Sequence, residues 1–416
     1  MRMLRRAVLP ALLIALPGCV ESQPRPVKAP PGKVLTGIDV LEANGFQELQ
    51  GRRIGLITNH TGRDAQGRLT SDVLAAAPGV TLAAIFSPEH GFKGAVEDGE
   101  ISSTTVKLAG REIPVYSLYT GGLPGMRPKP AQLAGLDALV FDIQDIGARF
   151  YTYLATMGMA MEEAAKARIS FIVLDRPNPI NGLVVEGPLL TDPELPLLSP
   201  TSYFPVPVRH GLTAGEMAQL HNRKARVSHL RVVRMVNWKR SLWYDQTGLP
   251  WIAPSPNMPD VEAAALYPGL GLFEASNLSV GRGTPHPFGW VGAPWMDSKK
   301  VLRKLNESLL DGVRFSAQDY TPTKSVYAKE PCEGILITVT ERDILRPLDV
   351  FRAIDQALYE VHGEDFRWRW EEARKMTGSR EFQNIWERGH DRIKLMALFN
   401  WGSEKFEKSR RDYLLY

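Results

Sequence analysis

Cysteine is nearly absent from this chain: 416 residues hold only Cys19 and Cys332. No disulfide framework is therefore expected, even in an oxidising compartment, and Cys332, opening CEGILITVT, reads as a small buried residue at a strand start. Strong charge is lacking too. The formal net charge of +4 falls to +1 once the three arginines of the first 18 residues are set aside, which leaves no footprint for nucleic acid. The first apolar strand is not followed by G-x-G-x-x-G, and TNHTGRDAQG has neither that spacing nor that of a P-loop, so no nucleotide cofactor is expected. A G-x-S-x-G elbow is missing, which disfavours a serine hydrolase of that type. His60, His90 and His210 do not fall at i, i+4 helical spacing, and no metal is expected. Neither an internal repeat nor a later hydrophobic span is evident.

The remaining composition, 44% hydrophobic and 23% charged, is that of a globular protein. Residues 1–18 run from a basic stretch, MRMLRR, through a short apolar core to LPGC at 16–19. This reads as a secretory signal, and LPGC resembles a bacterial lipobox in which Cys19 carries the lipid. Residues 19–33, rich in proline, then form an extended tether. The expectation is an exported, periplasmic lipoprotein that touches the membrane only through its N-terminal lipid.

From residue 34 to about 210 short apolar runs alternate with helical patterns. RIGLITN (53–59), LAAIFS (82–87), PVYSLY (114–119), ALVFDIQ (138–144) and FIVLD (171–175) read as strands, with helices near 70–77 and 148–167. Apolar strands separated by crossover helices predict an α/β fold: a Rossmann-like, doubly wound, mostly parallel sheet, followed over 211–416 by a smaller α+β domain that completes a cleft. Ligands of such sheets bind beyond the strands' carboxyl ends. The residues found there are Asn59 and His60, Glu89 and His90, Asp142, Gln144 and Asp145, and Asp175, Arg176 and Asn178. One polar strand end means little. Four on the same edge describe a polar cleft, with Gly91 turning the chain away after SPEHGF.

Several long motifs then carry a resemblance. ITNHTG, FSPEHGF, FDIQDIGARFYTY, VLDRPNPINGLVVEGP, PVRHGLTAGE, PSPNMP and YPGLGLFEASNLSVGRGT, in this order, are similar to the bacterial exo-β-N-acetylmuramidases, over roughly residues 35 to 416. The resemblance implies a glycosidase that takes N-acetylmuramic acid from the non-reducing end of peptidoglycan fragments, without a cofactor, at the junction of two domains. It also implies that polar positions of these motifs, among them Arg149, Tyr151, Glu186, Arg209, His210, Asn257, Glu274, Asn277 and Arg282, face muramyl saccharides.

Glycoside hydrolysis normally uses two carboxyl groups, one donating a proton to the leaving oxygen and one ionised. Glu89 is expected as the donor, with His90 either bonded to it or turned back into the sheet. For the second, Glu162 shares a helix face with Tyr151, Leu154, Ala155 and Gly158; Glu186 and Asp142 are rivals, and the sugar's own acetamido group is a further possibility. Arg176, Arg209 and Arg282 are candidates to hold the lactyl carboxylate, Arg282 foremost because Gly281 and Gly283 flank it. In the C-terminal half RVVRMVNW (231–238) and CEGILITVT (332–340) read as strands and PLDVFRAIDQALYEVH (347–362) as a helix. The stretch from Pro254 to Thr284 reads as a binding loop, and the aromatic FRWRWEEARKM either stacks on sugar or packs. A sugar-binding lipoprotein without turnover is the alternative reading.

Overall fold

The computed structural model describes residues 30, 32–96, 99, 101–120, 122–190 and 199–416; the expected signal, Cys19 and most of the tether lie outside them. The strands are β1 (Arg53–Thr58), β2 (Thr81–Ser87), β3 (Thr104–Leu108), β4 (Arg111–Ser117), β5 (Ala138–Asp142), β6 (Ser170–Leu174), β7 (Glu186–Leu189), β8 (Pro207–Arg209), β9 (Leu230–Val233), β10 (Trp290–Ala293), β11 (Val313–Ala317) and β12 (Glu333–Val339). One seven-stranded sheet runs β3-β4-β2-β1-β5-β6-β9. All its pairings are parallel except β3 with β4. The chain winds outward from β1 through β2 to β4, then returns to the other side of β1 as β5. The order therefore reverses between β1 and β5, the kind of point beside which such sheets bind their ligands.

The apolar runs form central strands because both faces are covered. Every residue of β5 is buried, as are five of the six in β1. On one face Ile38, Leu41, Val73 and Leu74, from helices Gly37–Ala43 and Thr70–Ala76, pack on Ile54, Leu56 and Val140. On the other, Ile57, Phe86, Phe141 and Phe171 belong to a core that continues into the C-terminal half, reaching Phe273, Ile335 and Phe351. Full burial of each such side chain is worth ~1.5–3 kcal/mol, so the shared core ties the halves together. The second half is built around the antiparallel sheet β10-β12-β11.

Several expectations are corrected. A boundary at 210 cuts through the sheet domain, because β9 pairs in parallel with β6. The edge strand β3 is not evident in the sequence, since TTVKL is mostly exposed and has no apolar run. The long helix begins at Thr152 rather than 148. Residues 143–151 are held instead as a loop: Asp145 Oδ2 accepts from the Gly147 amide at 2.7 Å, and the Arg149 amide bonds the Val208 carbonyl at 2.7 Å. Within 254–284 lies a helix, Val261–Leu270, whose amino end is capped by Asp260 accepting from the Ala263 amide at 2.8 Å. The aromatic tail, in contrast, packs as expected: Trp368 is buried and stacks on Phe273 with centroids 5.7 Å apart.

Candidate active site

β2 leaves the sheet through Pro88, Glu89, His90 and Gly91. His90 and Gly91 both take left-handed backbone, with φ 67° and 76°, so the chain turns sharply just past Glu89. His90 Nδ1 lies 2.7 Å from the Val96 carbonyl oxygen, an anchor that braces the turn. The imidazole therefore holds its own loop. Glu89 Oε2 instead accepts a hydrogen bond from Thr152 Oγ1, at the first residue of helix Thr152–Ala167.

These groups line a cleft of about 210 Å³. The sheet domain contributes Glu89, His90, Phe150, Tyr151, Thr152 and Thr201, and the stretch beyond β9 contributes Ser255, Asn257, Met258, Tyr267, Glu274, Arg282, Phe288 and Met376. Tyr267 is central to the aromatic wall. Its ring lies 5.2 Å from Phe150, 5.9 Å from Tyr151 and 4.6 Å from Phe288. Burial drives the phenols of Tyr151 and Tyr267 well above their ordinary range, so both serve as neutral hydrogen-bonding groups. Aromatic faces with a few polar groups suit one sugar ring. Arg282 Nη1 lies 3.1 Å from Glu274 Oε1, and Asn257, with its amide oxygen toward the guanidinium, accepts from Nη2 at 3.2 Å and Nε at 3.1 Å. Gly281 and Gly283 have φ 76° and 77°, and a Cβ on either would strike neighbouring backbone, at His286 and Lys324 respectively. These glycines serve the turn itself.

Of the residues expected to face substrate, the cleft thus gathers Glu89, His90, Tyr151, Asn257, Glu274 and Arg282. The others satisfy the architecture. Asn59 accepts from Thr61 within its own loop, and His60 Nε2 sits 2.8 Å from the Ala253 carbonyl. Asp142 pairs with Arg176, whose Nη2 lies 2.9 Å from Oδ2. Gln144 donates to the Asp145 and Pro177 carbonyls, and Asn178 to that of Leu212. Asp175 accepts from Thr213, Gly215 and the Tyr416 hydroxyl. Glu186 and Arg209 form a buried pair at 2.9 Å. Burial also pushes His210 down to about 3, so it is neutral at physiological pH. Arg149 spends its guanidinium on the carbonyls of Pro188, Val206 and Met376, binding the two halves together. Asn277 bonds the backbone of Asp365 and Arg367. Asp145 lies outside the cleft lining; burial, opposed by the Gly147 and Ile146 amides, pushes its carboxyl up to about 7.

Glu162 is the main correction. It lies ten residues beyond Thr152 on the same helix, about 15 Å along the axis at 1.5 Å per residue. There it pairs with Arg127 at 2.8 Å and Lys224 at 3.3 Å. Burial resists its charge, but Arg127, the Tyr203 hydroxyl and Lys224 together outweigh burial and its carboxyl titrates below the ordinary range. Gly158 makes room not for a ligand but for Tyr203 and Phe204, whose rings a Cβ there would meet at 2.4 and 2.9 Å. Glu162→Gln is accordingly expected to leave turnover within about threefold of wild type, an effect of under ~1 kcal/mol on the barrier. A loss above tenfold in kcat, with folding intact, would return Glu162 to the reaction. Thr152, Ser255 and Tyr267 were not singled out from sequence, although each falls inside a motif that carries the resemblance. A neutral side chain gives no sign of catalytic use until its neighbours are known.

The family model described as exo-beta-N-acetylmuramidase NamZ, N-terminal, matches residues 54–262, and the corresponding C-terminal model matches 265–416. The peptidoglycan beta-N-acetylmuramidase NamZ of Bacillus subtilis (strain 168) is 39% identical over 399 residues, covering 95% of this chain and 94% of that protein. Two crystal structures of DUF1343 family proteins from Bacteroides fragilis also superpose well. One has a TM-score of 0.84 at 34% identity, covering 93% of this chain and 100% of the other; the second has a TM-score of 0.72 at 29% identity, covering 92% and 99%.

Proposed function

The chain belongs to the exo-β-N-acetylmuramidase family, and on that premise we propose that its cleft releases N-acetylmuramic acid from the non-reducing ends of peptidoglycan fragments, with Glu89 as proton donor. The observation that carries this reading is the placement of Glu89. It is a carboxyl group at the carboxyl end of a central strand, oriented by Thr152, beside an aromatic wall sized for one sugar. As the bond between the anomeric carbon and the leaving oxygen breaks, its electron pair goes to that oxygen, which takes the Glu89 proton. Water then supplies hydroxide to the anomeric carbon, and its remaining proton restores the acid. Tyr151 and Asn257 offer hydrogen bonds to the bound ring, and the aromatic rings cover its apolar face.

The test is direct. Purified protein incubated with N-acetylmuramyl-N-acetylglucosamine is expected to release free N-acetylmuramic acid. Tight binding of the disaccharide without release would favour the sugar-binding alternative, and neither binding nor release would reject the reading.

The same proposal includes export and lipid attachment at Cys19, supported by the basic-apolar leader and LPGC. Cys19→Ala is expected to move the protein from the membrane fraction to the soluble periplasm with its activity on small substrates unchanged. A wild-type protein that is already soluble would refute the anchor and leave the catalytic reading untouched.

A further inference from the structure

We propose that Glu274 is the second, ionised carboxylate of the reaction, facing the positive charge that develops at the anomeric centre, and that Arg282 positions it. The inference rests on the muramidase reading and deepens it. Glycosyl transfer through an oxocarbenium-like state needs a proton donor at the leaving oxygen and a negative charge near the anomeric carbon. Among the described residues the cleft lining contains two carboxylates, Glu89 and Glu274. They arrive from different halves of the molecule, Glu89 from the end of β2 and Glu274 from the turn Gly271–Ala275. Tyr267 lies within electrostatic reach of both, so they flank one wall.

Their partners differ in a way that divides the work. Glu89 accepts from the neutral Thr152 hydroxyl. Glu274 faces the Arg282 guanidinium at 3.1 Å, and that guanidinium is steadied from its other side by Asn257. A carboxylate paired with a guanidinium is suited to remain an anion and unsuited to give up a proton. The turn carrying Glu274 is also rigidly seated. Arg369 donates from Nη1 to the Ser276 carbonyl at 2.6 Å and from Nη2 to the carbonyl of Glu274 itself. A Cβ on Gly271 would come within 2.9 Å of the Phe150 ring, so the glycine lets the turn lie against the aromatic wall. The Glu274 side chain keeps 24% of its surface exposed and remains accessible to a ligand.

The arrangement also bears on the lactyl group. With its fork engaged by Glu274 and Asn257, Arg282 is built to hold a protein carboxylate in place, and selectivity for the lactyl ether is not its principal task.

The experiment compares Glu274→Gln, Glu89→Gln and Arg282→Lys on the natural disaccharide and on a 4-nitrophenyl β-muramide, whose leaving group needs no proton, with the lactyl-free 4-nitrophenyl β-glucosaminide added for Arg282→Lys. Circular dichroism melts confirm folding. Glu89→Gln is expected to lose at least ~100-fold in kcat on the disaccharide and to recover most of it on the activated substrate. Glu274→Gln is expected to lose at least ~100-fold on both, with KM little changed; Glu274→Ala, which leaves room for a small anion, is expected to lose as much and to regain turnover when azide is added, giving a glycosyl azide. Arg282→Lys should lower kcat on muramyl and glucosaminyl aryl glycosides by the same factor. Retention of Glu274→Gln activity within threefold, recovery on the activated substrate alone, or an effect confined to KM would overturn the role of Glu274. A loss in Arg282→Lys restricted to the muramyl substrate would overturn its positioning role. If wild type cleaves neither muramyl substrate, the muramidase reading itself fails, an outcome distinct from all of these.

Discussion

Glu89→Gln is expected to lower turnover of the muramyl disaccharide at least ~100-fold, the usual scale for loss of a general acid, while its melting temperature stays near that of wild type. Glutamine keeps the shape of the side chain and can still accept from Thr152 Oγ1 through its amide oxygen, so the turn held by His90 and Gly91 has no reason to move. What disappears is the transferable proton. An amide cannot protonate the leaving oxygen, and ~100-fold corresponds to about 2.7 kcal/mol of barrier. The pattern across substrates identifies the cause: a proton donor matters in proportion to the basicity of the leaving group, whereas a misfolded or mis-shaped cleft would depress every substrate alike. Turnover of Glu89→Gln close to wild type on the disaccharide would remove Glu89 from the reaction. Thr152→Ala offers a milder check, because it leaves the acid in place but frees its rotamer; a loss of ~3–10-fold is consistent with one neutral hydrogen bond worth about 1 kcal/mol.

Much of the architecture was legible because its signals are local. Continuous apolar runs such as ALVFD and SFIVL can be buried on both faces only in a sheet covered on each side, and the polar residues after them had to lie on one edge. Glu89 was legible for the same reason: position in the chain fixed its position in space. The second carboxylate was not. Glu162 shares a helix face with Tyr151, but sharing a face is not sharing a depth, and ten residues of helix rise carry it to Arg127 and Lys224. Glu274 lies 185 residues after Glu89, and the resemblance placed it toward the saccharide without assigning it a role; tertiary packing of the Gly271 turn against Phe150 brings it to the cleft that holds Glu89. Polar residues at strand ends also proved ambiguous in kind. Asp142, Gln144, Asp175 and Asn178 lie at the expected edge, yet Asp142 is bonded to Arg176 and the other three point their hydrogen-bonding groups at backbone. A buried loop needs such partners for its own amides and carbonyls, and that demand resembles a binding site in sequence.

Arg176 tests that distinction, and Arg176→Met is expected to destabilise the protein by about 3–5 kcal/mol, the cost of leaving a buried charge without its partner. Asp142 is completely buried and Arg176 is 5% exposed. The guanidinium bonds both Asp142 oxygens and also donates from Nη2 to the Arg63 carbonyl at 2.7 Å, tying β5 to the loops after β1 and β6. Thr70 also donates to Asp142 and survives the substitution, but a single hydroxyl cannot replace a cation. Unfolding in urea, followed by fluorescence and circular dichroism, measures the loss. The folded fraction should keep the wild-type KM, because neither Asp142 nor Arg176 lines the cleft. Replacing both, as Asp142→Leu with Arg176→Met, is expected to recover part of the stability, since an apolar pair leaves no stranded charge. Had Arg176 been placed to grip the lactyl carboxylate, the signature would be reversed: Arg176→Met would unfold at nearly the wild-type urea concentration and raise KM for muramyl substrates selectively. The two outcomes separate a strand-end arginine that holds the sheet domain together from one that reads a ligand.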